Sequence, residues 1–239
     1  MKAIANISVV SVTAQRDAAA PLLTQFLFGE SMEVLDSKGD WLRVKGHFDG
    51  CEGWVNALQV QQISEEDFAK RQTELITTQV LFYNQGEDRY LLSLGSEVER
   101  ENPEEVPTDS LRERIVAGVL SFLNVPSLAG GRSFFGVDAA ALVQLVFKVN
   151  GVALPRFADA QATIGEALTF IEEAEWGDVA FFEDGEGRIC HCGIMLEDQK
   201  IIHAHGKVRI DHIDSIGIFN KDLNKHTHKL RFVKKMISV

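Results

Sequence analysis

The sequence predicts an α+β protein in which small β-rich modules precede a domain of helices followed by an antiparallel meander. Three observations carry this: short strands cut by Gly and Asp turns up to about residue 62, an acidic proline-bearing run near 97–107, and a change to helical periodicity from Thr108 that gives way to strand alternation after Val179. A chain of 239 residues suffices for one large or two small domains with their own cores.

In order along the chain, Met32, Val34, Trp41, Leu42, Val44, Trp54 and Val55 alternate as strand positions, with breaks at Gly29, Lys38-Gly39-Asp40, Asp49-Gly50 and Gly53. Regular short strands with such turns predict a small β-barrel over 1–62. The spacing of Phe28-Gly29-Glu30, Val34-Leu35, Gly39-Asp40-Trp41-Leu42-Arg43-Val44 and Gly53-Trp54-Val55 resembles a bacterial SH3-type (SH3b) domain. Such a resemblance implies binding or gating of cell-wall peptide. Residues 63–106 form a second SH3b-like segment and an acidic linker, with a helix cap at Ser64-Glu65-Glu66-Asp67 and a strand at Tyr90–Gly95. Glu97, Glu99, Glu101, Glu104 and Glu105 beside Pro103 and Pro107 read as solvated linker, which puts the main boundary at 106/107.

From Thr108-Asp109-Ser110, a cap, Leu111, Ile115, Val119, Phe122 and Leu123 recur at helical spacing until Asn124 and Pro126. After the Gly130-Gly131 and Gly136 turns, Asp138 opens a run from Ala139 to Val149 that is apolar almost all round and so predicts a buried central helix, stopped by Asn150-Gly151. A further helix is expected over Gly165–Ala174. Strands follow at 179–182, 189–196, 200–203 and 207–210, the first three separated by Asp184-Gly185, Glu186-Gly187 and Glu197-Asp198.

The formal charge of −11, from 24 Lys+Arg against 35 Asp+Glu, excludes a nucleic-acid or anionic-membrane binder, because phosphate neutralisation needs a basic surface. Cys51, Cys190 and Cys192 make no disulfide framework and fit a reducing compartment. The first residues lack the sustained apolar stretch of a signal peptide and no long apolar run exists, so the expectation is a soluble cytoplasmic protein.

A buried helix start carries partial positive charge that favours a thiolate, and a strand histidine can act as its base. His191 and His203 fall on adjacent predicted strands around Glu197-Asp198, yet the helix begins with Ala139, where a cysteine or serine is needed. Cys190-His191-Cys192 and His203-Ala204-His205 are all zinc-ligand types, but strand alternation turns both cysteines away from the face on which His191 and His203 meet, so no metal site is expected. The cysteines are expected to be buried small hydrophobes, and His205, His212, His226 and His228 to lie on the surface or in loops. Ser127, Ser133 and Cys192 are poor substitute nucleophiles, since none starts the helix.

Seven collinear blocks resemble the NlpC/P60 family of papain-like cysteine peptidases, in the SH3b-bearing form similar to murein-recycling γ-D-glutamyl-L-diamino acid endopeptidases: Gly130-Gly131-Arg132-Ser133, Gly136-Val137-Asp138, Leu142-Val143-Gln144, Leu154-Pro155-Arg156, Gly177–Phe182, His191-Cys192-Gly193-Ile194 and Ile201-Ile202-His203-Ala204. The resemblance implies a papain-like domain over 107–239, with Ala139 at the nucleophile position and His191 and His203 as the base and its orienting partner. It places Ser127 at the oxyanion tyrosine, Ala129 at a cleft tryptophan, and Ala140 and Ala141 at the serine and glycine after the nucleophile. Asp138 matches an acid expected to hold a substrate amine, besides being a good N-cap, and Glu30 a second such acid. Losing the thiol with its neighbours while keeping the histidines points to a catalytically inactive homologue. Its expected ligand is a murein-derived peptide, without a cofactor and with a protein partner open. The competing expectations are an active endopeptidase, through a replaced native cysteine or another nucleophile, and an interaction protein with a closed cleft.

Overall fold

The computed structural model describes residues 1–100 and 107–237; the linker residues Glu101, Glu104 and Glu105 lie outside them. The chain divides into two compact units, one of 1–106 together with 128–136 and the other of 107–127 and 137–239. A short later segment, 128–136, thus belongs to the first unit.

In the first unit, β1 (Lys2–Ala5), β2 (Val9–Thr13), β3 (Leu22–Leu27), β4 (Ser31–Lys38), β5 (Trp41–Gly46), β6 (Glu52–Asn56) and β7 (Val60–Ile63) form a seven-stranded antiparallel sheet of order β3-β2-β6-β5-β4-β1-β7. Its inward rows, among them Ala3, Val10, Val12, Phe26, Met32, Leu42, Val44 and Val55, make one core, as the alternation requires. Ser64 caps α1 (Glu65–Lys70), its hydroxyl accepting from the Asp67 amide. The short strands β8 (Thr73–Leu75) and β11 (Glu97–Glu99) pair with each other, as do β9 (Val80–Gln85) and β10 (Asp88–Ser93). Phe28, Ile76, Leu92 and Val98 form a second small core beneath Tyr83 and Tyr90. Gly29 is obligatory at the junction: its φ is +79° and a Cβ would sit 1.9 Å from the Glu97 carbonyl.

In the second unit, α2 (Leu111–Leu120) starts with a reciprocal capping box between Ser110 and Glu113. The two-residue strands β12 (Arg132–Ser133) and β13 (Gly136–Val137) come next along the chain, within the first unit's later segment up to Gly136; α3 (Ala139–Lys148) of the second unit then follows, every residue of it buried. A short α4 (Ala158–Gln161) and β14 (Glu166–Ala167) follow, then the strands β15 (Val179–Glu183), β16 (Ile189–Leu196), β17 (Lys200–His205), β18 (Lys207–Ile213), β19 (Gly217–Asn220) and β20 (Lys225–Lys235). The order β20-β15-β16-β17-β18-β19 is closed by an additional β19–β20 pairing, so the meander is a barrel, with β14 added at the edge of β20. Ala180, Phe182, Met195, Ile201, Ile213, Ile218 and Val233 fill it. Among the described residues no helix is long and apolar enough to cross a membrane.

Three sequence expectations are corrected. Gly165–Ala174 is not a helix: Glu166 and Ala167 pair with β20, and only a 3-10 turn forms at Ile171–Glu173. The apolar Leu168, Ile171 and Ala174, three residues apart, cover the barrel core and so imitate a helical stripe. Cys190 is exposed, because the β15–β16 register shifts beside Phe182/Glu183 and leaves it in a bulge. His228 is neither superficial nor in a loop; β20 carries it, half-buried, into a cluster of imidazoles.

Candidate functional site

The inward rows of the barrel end in polar groups at one mouth. His191 stands two and four residues before Gly193 and Met195 on β16, His203 two after Ile201 on β17, and Asp211 two before Ile213 on β18, so each shares the face of a core residue. His203 is fully buried and His191 nearly so. His203 Nε2 lies 3.1 Å from Asp211 Oδ2, and His191 Nε2 lies 2.9 Å from His203 Nδ1. The carboxylate can only accept, so His203 donates from Nε2 and its Nδ1 accepts from His191 Nε2–H. That assignment leaves the Nδ1 lone pair of His191 as a base. Arg209 holds Asp211 from the far side, Nε to Oδ2 at 2.7 Å and Nη2 to Oδ1 at 2.9 Å.

His228 stacks on His191 with ring centroids 4.0 Å apart, and His205 lies beyond it. Burial, then the neighbouring imidazoles, push His191 well below its ordinary pKa and His228 down to about 4. Burial also lowers His203, against the pull of Asp211. Burial opposes the charge of Asp211, but the hydrogen bonds from His203 and Arg209 outweigh it and hold the carboxyl below its usual range. His191, His203 and His228 are therefore neutral at neutral pH.

Asp138 caps α3, its Oδ1 accepting from the Ala141 amide at 2.8 Å. The same carboxylate is held by both Nη atoms of the buried Arg156, at 3.0 and 2.5 Å. Ala139 and Ala140 form the buried first turn, and the Ala140 carbonyl accepts from Gln161 Nε2 at 2.9 Å. Cys192, adjacent to His191, places its thiol 3.8 Å from Gln161 Oε1 and within the field of Asp138 and Arg156. The strand β16 thus runs beside the first turn of α3. Burial, reinforced by Asp138, drives the Cys192 thiol well above its ordinary pKa, which makes it a poor nucleophile. Ser127 donates its backbone N–H to the Gly206 carbonyl at 3.1 Å, just past β17.

Glu30 and Ala129 belong to the first unit, whereas Ser127, Asp138, Ala139, Ala140, His191 and His203 belong to the second. Ala129 is exposed. Glu30 is buried, and Arg132 binds both its oxygens, at 2.7 and 2.9 Å, while the Leu27 amide donates to Oε2. The residues that sequence reasoning missed are Asp211, Arg156, Arg132 and His228. Asp211 was within reach: a turn at Gly206 pairs 203 with 209 and 201 with 211, on one face. His228 had no local signal.

An SH3-like β module, followed by a buried helix against a barrel whose strands line up carboxylate, imidazole and imidazole, defines a papain-like peptidase scaffold. More narrowly, residues 125–228 match the NlpC/P60 family and residues 14–60 match the bacterial dipeptidyl-peptidase SH3 domain, so the chain carries an NlpC/P60 domain behind a bacterial SH3 domain. It is 27% identical over 230 residues to a γ-D-glutamyl-L-lysine dipeptidyl-peptidase of Bacillus cereus, covering 78% of this chain and 68% of that one. To the protein of the same name from Bacillus subtilis it is 28% identical over 213 residues, covering 76% and 71%. In fold it is similar to the crystal structure of an NlpC/P60 family protein from Bacillus cereus, with a TM-score of 0.84, 19% identity and full coverage of both chains.

Proposed function

We propose that this protein is a non-catalytic NlpC/P60 homologue that binds a murein-derived peptide. The observation that carries the reading is an ordered Asp211–His203–His191 chain in a domain whose central helix begins with Ala139: the base is kept and the nucleophile is absent. Ala139 takes the nucleophile position, His191 and His203 those of the base and its orienting residue, and Ser127, Ala129 and Ala140 stand where larger or more polar cleft groups are expected. Cys192 offers no substitute, being buried with its thiol held protonated. A murein peptide is supported by the SH3 module and by relatives named for γ-D-glutamyl-L-lysine dipeptides. Asp138, with 26% of its side chain exposed, is the assigned contact for a peptide amine, whereas Glu30 meets Arg132 first. Three unbridged cysteines support a cytoplasmic setting.

The test is incubation of the protein, purified clear of host peptidases, with L-Ala-γ-D-Glu-diaminopimelate, alongside calorimetric titration with the same peptide. No cleavage is expected, together with binding that weakens about tenfold in Asp138→Asn, which keeps a capping side chain but loses the charge. Cleavage that disappears in His191→Ala would make the protein an enzyme and end this reading.

A further inference from the structure

The geometry points to a three-histidine site for a divalent transition-metal ion at the mouth of the barrel, formed by His191, His203 and His228. One nitrogen from each of these side chains falls in a group whose members all lie within 4.8 Å of one another. The proposal stands apart from the peptide reading, since it needs neither a ligand in the cleft nor the loss of the thiol.

What separates this cluster from a chance gathering of imidazoles is how the other ring nitrogens are engaged. His203 gives its Nε2–H to Asp211, which Arg209 fixes in turn, and this leaves Nδ1 bare toward His191. His228 Nδ1 lies 2.9 Å from Thr227 Oγ1, and that hydroxyl donates its own hydrogen to the Ile218 carbonyl. With the hydroxyl hydrogen on that carbonyl, 3.5 Å away, the oxygen accepts from Nδ1–H and His228 presents a bare Nε2. A carboxylate or hydroxyl on the far nitrogen is the usual support of a metal-bound histidine, because it fixes tautomer and ring direction. His203 is thus already set as a ligand, and His228 is set in the tautomer whose Nδ1–H meets Thr227.

The third, His191, now holds one hydrogen between its Nε2 and His203 Nδ1, across 2.9 Å. When a metal ion binds, that hydrogen leaves Nε2 and Nδ1 takes one from water, so the imidazole stays neutral and the net proton count is unchanged. Two nitrogens on one tetrahedral zinc, each ~2.0–2.1 Å from it, stand about 3.4 Å apart. His191 and His203 therefore open by a few tenths of an ångström, while His228 turns out of its stack on His191. Three imidazoles without a carboxylate in the inner set suit Zn2+, Cu2+ or Ni2+ and not Mg2+ or Ca2+. Half-buried His228 leaves a fourth position open to water. The cysteines take no part: Cys190 is exposed in its bulge and the Cys192 thiol lies against Gln161.

The full chain, stripped with a chelator, is titrated with Zn2+ against a competing chromophoric chelator. One ion per chain is expected, with affinity reduced tenfold or more in His203→Gln and in His228→Gln, about 10–100-fold in Asp211→Asn, and unchanged in the exposed His212→Gln. Zn2+ should raise the unfolding midpoint of the wild type and of His212→Gln but not of His228→Gln. Should a histidine variant fail to fold, Co2+ added to the wild type decides the matter, through visible ligand-field bands and paramagnetic shifts on three imidazoles. Absence of stoichiometric binding, unchanged affinity in folded His203→Gln and His228→Gln, or Co2+ shifts on other histidines would overturn the site.

Discussion

His191, His203 and His228 are kept neutral because burial removes water that would solvate their charges and each imidazole opposes protonation of the next. The consequence is a pH dependence with a definite sign. Above the ordinary value of 6.5, His228 is neutral in both folded and unfolded chains and contributes nothing; between 6.5 and about 4 the unfolded chain takes up a proton that the folded one refuses. Stability therefore falls as pH drops through that window, and below about 4 the contribution of His228 stops growing. Urea unfolding across a pH series should give a slope smaller by about one proton in His228→Gln than in wild type. Equal slopes would mean that His228 is solvated in the folded protein. At the start of α3 the same scale explains why Asp138 is not an isolated acid: a cap and a bidentate arginine share it.

At the level of elements, the barrel depends on one tight passage between β19 and the strand that closes it. Gly217 has φ +148°, and a Cβ there would lie 1.8 Å from the His228 carbonyl. Only glycine lets β19 come against β20 at this point. Gly217→Ala is expected to cost more than about 1 kcal/mol and to loosen β20, the strand that carries His228. Thermal unfolding reads the first effect, and hydrogen exchange of the β20 amides reads the second. Unchanged exchange would show that β20 is held by β15 alone. The register shifts beside Phe182/Glu183 and Ile218/Phe219 belong to the same design, since each extra residue re-aims side chains at the mouth.

Over the whole molecule, the first unit is not continuous in sequence. It includes 128–136, from which Arg132 forms a buried pair with Glu30 across 102 positions. In the full chain, Glu30→Gln removes one partner of a desolvated ion pair and should cost about 3–5 kcal/mol in urea unfolding. In a fragment ending at 106 the partner is missing and the same substitution relieves an unpaired buried charge, so its effect should reverse sign. A loss of stability in both contexts would show that Glu30 does not depend on Arg132.

Short-range periodicity made a good part of this protein legible in its residues. The alternating strands, the caps at Ser64, Ser110 and Asp138, the wholly buried α3 and the pairing of His191 with His203 were all legible, because each depends on residues within a hairpin or a few helical turns. Asp211 was also recoverable, by counting outward from the Gly206 turn. Tertiary structure alone decided the partnership of Glu30 with Arg132, the hold of Arg156 on Asp138, and the arrival of His228 beside His191. The apolar spacing of Leu168, Ile171 and Ala174 misled for the same reason, being set by the curve of a barrel they cover rather than by a helix. Barrel closure is a long-range event whose register is shifted by bulges, and no local pattern records where a closing strand will place its side chains.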